Sequence, residues 1–207
     1  MGATVSTANS LSAEDLGSAA QRDRRKRILD ATIELASTGG FDAVQMRAVA
    51  ERADVALGTL YRYFPSKIHL LVSALGRELE RSDAVLRERP TPGDTAADRV
   101  IYLLKRTTRG MQGDANLTEA LTRAFMFADG SVKAEIHAVG MLLTQMMARA
   151  MHPEQTELTE LTDEDVAIAR VIGDVWLSAL VAWVTGRSTA ADTAVHMETA
   201  VRLLLRD

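Results

Sequence analysis

Apolar positions recur with a helical period along nearly the whole chain. Ile28, Thr32, Leu35 and Ala36 fall at i, i+4, i+7 and i+8, with Leu29 and Ile33 widening the stripe. They predict a first helix from Gln21 to about Ser37, stopped by Gly39-Gly40. A short helix follows from Met46 to Ala53, with Met46, Val49, Ala50 and Ala53 inward, then a turn at Asp54 and a third helix from Ala56 to Phe64. Pro65-Ser66 breaks the pattern, and Ser66 can cap a long helix whose stripe is Ile68, Leu71, Val72, Leu75 and Leu79. Beyond the breaker Arg89–Asp94, the spacing predicts helices at Thr95–Met111, Leu117–Ala128, Val132–Met151, Asp163–Gly186 and Ala190–Leu205, with an acidic loop at Pro153–Thr162. No alternating strand pattern and no solenoid-length repeat interrupts this series. The fold class expected is all-α, about nine helices.

Composition sharpens the picture in three ways. Aromatic residues are only 4% of the chain, which disfavours strands. The chain has no cysteine, so disulfides, cysteine-ligated zinc and a thiol nucleophile are excluded. The formal net charge of −4 hides an asymmetry. Residues 21–69 hold nine Lys/Arg against six Asp/Glu, while residues 70–207 hold fifteen against twenty. A basic head on an acidic trunk fits a nucleic-acid contact at one end and sensing or assembly at the other. The expected division is a flexible tail at 1–20, a head at 21–66 and a trunk at 67–207. The small, polar first twenty residues lack the basic and apolar regions of a signal peptide, and no uninterrupted apolar run approaches the ~20 residues of a membrane span. A cytoplasmic location without membrane contact is expected.

Two short helices joined by a tight turn form the unit that places one helix in a DNA major groove. Leu60 and Phe64, four apart, point into the head. That leaves Leu57, Gly58, Thr59, Tyr61, Arg62 and Tyr63 for the outer surface. Tyrosine hydroxyls reach phosphates, and the rings lie against sugars and thymine methyls. Gly58 lowers helix stability, and close approach of the backbone to DNA is a reason for it. The run Arg22, Arg24, Arg25, Lys26, Arg27 opens the first helix, where cations oppose the helix dipole. An anionic partner would compensate, so Arg24 and Arg25 are candidates for a phosphate-contacting arm.

The segment RILDATIELASTGGFDAVQMRAVAERADVALGTLYRYFPSKIHLLVSAL (Arg27–Leu75) resembles the N-terminal domain of the TetR family of transcriptional regulators. The landmarks are Ile28, Ala31, Gly40-Phe41, Val49-Ala50, Ala53, Val55, Gly58-Thr59-Leu60-Tyr61, Tyr63-Phe64, Lys67 and Leu70. The resemblance implies a DNA-binding role for Arg47, for the outer residues of the third helix, and for Lys67 at the start of the fourth, where a helix N-terminus and a cation together favour phosphate. Three positions depart from the family pattern. Gln45 stands at the cap of the second helix, where Thr or Ser is usual. Asp54 replaces a turn glycine. Leu57 replaces a polar or basic residue, so it reads a thymine methyl or packs.

The stretch Val166 to Val184 is apolar almost all round and needs cover on two sides, most simply its own core and a second copy. The resemblance independently implies a homodimer through the last two helices. Its expected residues are Val175, Leu180, Trp183, Val184, Met197, Val201 and Leu204, and a dimer calls for a near-palindromic operator in double-stranded DNA. A single large monomeric core is the alternative. The resemblance further implies a ligand cavity in the trunk. Its candidate lining is Leu104, Thr108, Met111, Leu121, Phe125, Phe127, Met141, Gln145, Met146 and Trp176, although plain core filling explains each of these residue by residue.

RxRRKRILDAT, LTEALTRAFMFAD (Leu117–Asp129) and ARVIGDVWLSALVAW (Ala169–Trp183) resemble the actinobacterial branch of the family that represses cholesterol catabolism. That likeness implies a steroid-derived effector, a coenzyme A thioester, whose binding releases DNA. A repressor of an efflux or fatty-acid gene with another hydrophobic ligand stays open beside it. Enzyme signatures are missing: there is no phosphate loop, HExxH or GxSxG. The histidines His69, His137, His152 and His196 are scattered, so no metal and no cofactor is expected. Replacing both Arg24 and Arg25 by Ala is expected to weaken operator binding and flatten its salt dependence. Unchanged affinity and salt slope in a fluorescence titration would remove the arm.

Overall fold

A computed structural model describes residues 13–154 and 161–206, and side chains from residue 19 onward. Among the described residues the chain forms nine α-helices and one short 3-10 turn. They are α1 (Ala13–Ala43), α2 (Met46–Arg52), α3 (Leu57–Tyr63), α4 (Lys67–Arg87), α5 (Ala96–Gln112), α6 (Ala115–Met126), α7 (Lys133–Met151), α8 (Asp163–Val184) and α9 (Ala190–Leu204), with the 3-10 turn Gly130–Val132 before α7. The all-α expectation is met. The first part of the acidic loop is resolved, but residues 155–160 of it lie outside the described residues.

The first helix begins earlier than periodicity suggested. It starts at Ala13 instead of Gln21, so the expected tail boundary at residue 20 is displaced. The added segment, Ala13–Ala20, holds three Ala, a Leu and a Glu and carries no Pro, so a helix nucleated downstream propagates back through it. Ion pairs Lys26–Asp30 at 2.8 Å and Arg27–Asp23 at 3.2 Å, both four apart, support the helix just downstream of it. Gly39-Gly40 does break the direction of α1. Gly39 has φ −149° and Gly40 φ 65°, and one further turn runs on to Ala43.

The head, α1 to α3, closes over Ile28, Leu29, Ala36, Val44, Val49, Leu60 and Phe64. This core continues through α4 into the trunk without interruption. Ser66 caps α4 by accepting from the His69 N–H, as expected. In the trunk, α4, α5, α6, α7 and α8 surround Val100, Leu104, Leu121, Met146, Met147, Ile172 and Trp176. Several polar groups inside this core are matched. The Trp176 indole donates to Thr108 Oγ1 at 2.8 Å, Asp83 pairs with Arg87 and Arg149, and Arg99 donates to the carbonyls of Ala150 and Met151 at the end of α7.

One helix, Asp163–Val184, has the length and hydropathy to span a membrane. Here it is a trunk helix with Ala169, Ile172, Trp176, Ala179 and Leu180 turned inward. Its other side exposes Ala167, Val171 and Ser178.

Three helices begin with the same device. Thr95/Asp98, Thr162/Asp165 and Thr189/Asp192 form reciprocal capping boxes at α5, α8 and α9. Hydrogen bonds from Thr95 and Thr189 hold the Asp98 and Asp192 carboxyls below the usual value near 3.8. Asp165 is also lowered, since burial pushes it up but bonds to His152 and Thr162 outweigh that. A folded value below the unfolded one stabilises the native state above the unfolded value, and that stabilisation is lost as pH falls through the folded value. The urea midpoint is therefore expected to fall below about pH 4, and an Asp98→Asn/Asp192→Asn variant is expected to show a shallower acid limb. An unchanged acid limb in that variant would contradict the assignment.

Candidate nucleic-acid interface and effector cavities

The α2–turn–α3 unit is set by a few backbone constraints. Val55 N–H donates to Ala50 O at 3.0 Å, and Asp54 takes the left-handed φ of 51°. Asp tolerates this region better than most residues, which accounts for its standing in for the usual glycine. The Arg27 guanidinium donates to the Ala53 carbonyl at 2.6 Å and the Asp54 carbonyl at 3.3 Å, bracing the turn from α1. Sequence reading grouped Arg27 with a DNA-contacting run. Its structural role depends on a contact 26 residues away that no local pattern signals. Lys26 is likewise engaged with Asp30. The Arg25 guanidinium lies 5.5 Å from the centre of the Phe64 ring, and Arg24 is half-buried. Gln45 gives α2 no side-chain cap.

On α3, Leu60 and Phe64 are buried, and Leu57, Gly58, Tyr61 and Arg62 are exposed. Thr59 is half-buried, and so is Tyr63, whose ring stands 6.4 Å from that of Phe64. Tyr63 therefore belongs partly to the head's packing. Arg47 is largely exposed on α2, its guanidinium 3.9 Å from Glu51. A Cβ at Gly58 would meet nothing within 4 Å inside the protein, so no intramolecular contact requires glycine there. Lys67 opens α4, at the helix start where it was expected. Its ammonium sits 3.8 Å from the centre of the Phe41 ring, and burial lowers its pKa.

Two adjoining cavities occupy the trunk. An inner one of about 380 Å³ lies among α4, α6, α7 and α8, and an outer one of about 520 Å³ among α4, α5 and α6. They share Leu75, Leu79 and Met111 as a common wall. Of the expected lining, Met111, Phe125, Met141 and Trp176 border the inner cavity, and Leu121 borders the outer. The other five lie elsewhere. Met146 is core. Leu104 and Thr108 face a third recess against α9, where Thr108 is tied to Trp176. Gln145 and Phe127 point to solvent, Phe127 at 66% exposure. Helical period alone does not separate the wall of a cavity from the adjacent core, because both faces are apolar. Sequence reading missed Leu75 and Leu79 as lining, although both lay in the predicted α4 stripe. It also missed Arg106 and Arg109 at the outer cavity, which have no ion-pair partner among the described residues.

Three of the seven expected dimer residues need correction. Leu180, Met197 and Val201 are at most 4% exposed and belong to the chain's own core. Val175, Trp183 and Val184 are half-buried, and Leu204 is exposed. The outward apolar positions on the last two helices are Val166 and Val171 on α8 and Val195, Leu203 and the expected Leu204 on α9.

Residues 28–74 match the family described as bacterial regulatory proteins, tetR family, and residues 93–204 match the tetracyclin repressor-like C-terminal domain. The chain belongs to the TetR family. It is 59% identical over 204 residues to the HTH-type transcriptional repressor KstR of Rhodococcus jostii, covering 99% of this chain and 92% of that one. Its fold is similar to a TetR transcriptional regulator from Rhodococcus sp. RHA1, with a TM-score of 0.83 and 31% identity, over 91% of this chain and 98% of the other. A more distant likeness, TM-score 0.66 at 23% identity over 87% of this chain and 93% of the other, is to Thermus thermophilus FadR, a TetR-family transcriptional repressor solved with lauroyl-CoA. As a member of this family, the chain is a DNA-binding transcriptional regulator of the helix-turn-helix type, and the relatives it matches at high identity are repressors rather than enzymes.

The open space at Gly58 generates a test. Gly58→Ala is expected to raise stability by about 0.5–1 kcal/mol, because alanine favours the helix. The same change is expected to weaken DNA binding about tenfold by keeping the backbone off the duplex. A variant that is more stable and binds DNA as tightly as the wild type would remove the close-approach reading.

Proposed function

We propose that this TetR-family protein is a cytoplasmic repressor that binds a near-palindromic operator as a homodimer and leaves it when a steroid-derived coenzyme A thioester fills the trunk, thereby controlling sterol or lipid catabolism genes. The observation that carries the effector is the pairing of unlike cavities. The inner chamber is walled mainly by aliphatic and aromatic side chains, with His137, Arg170 and Asp174 as its charged or titratable members, and is of a size suited to a rigid, largely apolar body. The outer chamber, behind the shared wall, carries Arg81, Arg106 and Arg109 beside Glu78 and Asp114, and Arg106 and Arg109 are free to meet phosphate. A thioester with an apolar head and a phosphorylated carrier matches that division. The resemblance of Leu117–Asp129 and Ala169–Trp183 to sterol-catabolism repressors, the identity to KstR, and the lauroyl-CoA held by a protein of the same fold support the same class.

In this reading the head, about residues 21–66, contacts DNA and the remainder binds effector and partner. Arg47, Leu57, Gly58, Thr59, Tyr61 and Arg62 form the reading surface, with Gln45 and Tyr63 at its margin, Arg24 and Arg25 as the arm, and Lys67 on phosphate once it leaves Phe41. The partner copy covers the α8–α9 face through Val171, Val195 and Leu203. Release requires that the effector favour the head spacing that does not fit successive major grooves.

The test is an operator titration, using DNA from upstream of its own gene, with and without a steroid side-chain coenzyme A thioester. Wild type is expected to be released, and an Arg106→Ala/Arg109→Ala variant is expected to need at least about tenfold more thioester. Release by long-chain acyl-CoA but not by the steroid thioester would replace the sterol reading with a fatty-acid one. Failure of both thioesters would discard the coenzyme A class.

A further inference from the structure

Helix α6 has two working faces. Leu117, Thr118, Leu121, Thr122 and Phe125 face the two cavities. Asn116, Glu119 and Arg123, at i, i+3 and i+7, lie on the opposite side and grip the end of α1. Asn116 donates to the Ser37 carbonyl at 3.0 Å. The Phe41 N–H donates to Glu119 Oε2 at 2.9 Å, directly after the kink. Gly40 permits this approach: it has a φ of 65°, and a Cβ there would stand 2.9 Å from the same carboxylate oxygen. Arg123 reaches Glu119 at 3.5 Å and Asp42 at 3.7 Å, with its guanidinium carbon 4.4 Å from the centre of the Phe41 ring. Lys67, the first residue of α4, places its ammonium 3.8 Å from the centre of that ring. One aromatic ring at the junction of head and trunk therefore carries two cations, one from α4 and one from the effector-facing helix.

We infer that Phe41 and Arg123 are positioning residues for operator binding: the Phe41 ring holds Lys67 back from the DNA backbone, and Arg123 weakens that hold. The ring attracts each cation separately. The two cations repel each other, so they compete for it. Arg123 also occupies Glu119 and Asp42, the two carboxylates that would otherwise draw Lys67 inward. The balance at the ring sets how readily Lys67 reaches phosphate. Because Arg123 shares α6 with Thr122 and Phe125, a ligand that shifts α6 alters the balance without touching the head.

The inference rests on the operator-binding reading and is tested without any effector, so the two fail separately. Binding of the upstream DNA is measured by fluorescence anisotropy at several salt concentrations, with thermal melts to confirm folding. If wild type does not bind, the operator reading itself falls. Given binding, Lys67→Ala is expected to weaken it and reduce the salt slope by about 0.9, the loss of one phosphate contact. Phe41→Leu, which keeps apolar volume but removes the ring, is expected to tighten binding about threefold, and Arg123→Ala to weaken it about threefold. Both effects are expected to vanish in the Lys67→Ala background. Effects of the same sign, or effects that persist without Lys67, overturn the inference, because a merely structural junction would weaken binding in both variants.

Discussion

The first turns of α4 hold the molecule together. His69, Leu70, Leu71, Val72 and Ala74 are buried nearly in succession, which a helix allows only when it is covered on all sides. The head covers one side, and α6, α7 and the 3-10 turn cover the rest. The His69 side chain completes this seal, bonded to Ser66 Oγ at one ring nitrogen and to the Ser131 carbonyl at the other. Side chains packed at crystal-like density do not slide past one another gradually, so the head cannot drift on the trunk. Movement of one relative to the other must involve α4 as a body.

That constraint ties any movement of the head to the elements around α4. Both cavities use Leu75 and Leu79, the first directly after the sealed segment and the second about one turn further, so a ligand in either chamber presses on the same helix that carries the head. Helix α6 forms the second route, with cavity residues on one face and the α1 kink on the other. The ion pairs of Arg77 and Arg81 in α4 with Asp30 in α1 add a third tie between the same elements. Head position and cavity occupancy are thus linked through short, contiguous contacts.

The charge distribution fits this arrangement. The basic head keeps several of its cations for internal duties, with Arg27 on the turn, Lys26 on Asp30, and Arg52 on Glu34. Those left exposed, such as Arg47 and Arg62, lie on α2 and α3. Counting charges along the chain located the basic region but not which cations were already committed. Commitment depends on partners brought in from helices up to tens of residues away.

The helices and their order were legible in the sequence because apolar period, Gly and Pro breakers and Ser or Thr caps are local signals. The recognition unit was legible for the same reason, helped by a block of residues, Gly58 to Phe64, dense enough to match a family. Comparison with the family pattern also marked Asp54 as standing in for a turn glycine and Gln45 as an unusual cap. Tertiary structure alone decided which apolar faces became core, cavity or surface. Leu104 and Met146 carry the same pattern as Phe125 and Met141, yet only the latter pair borders the inner chamber. Leu180, Met197 and Val201 carry the same pattern as Val171, Val195 and Leu203, yet they fill the chain's own interior. It alone brought Lys67 and Arg123, 56 positions apart in the chain, onto one ring. Periodicity states that a face is apolar, and only the packing of distant helices determines what that face meets.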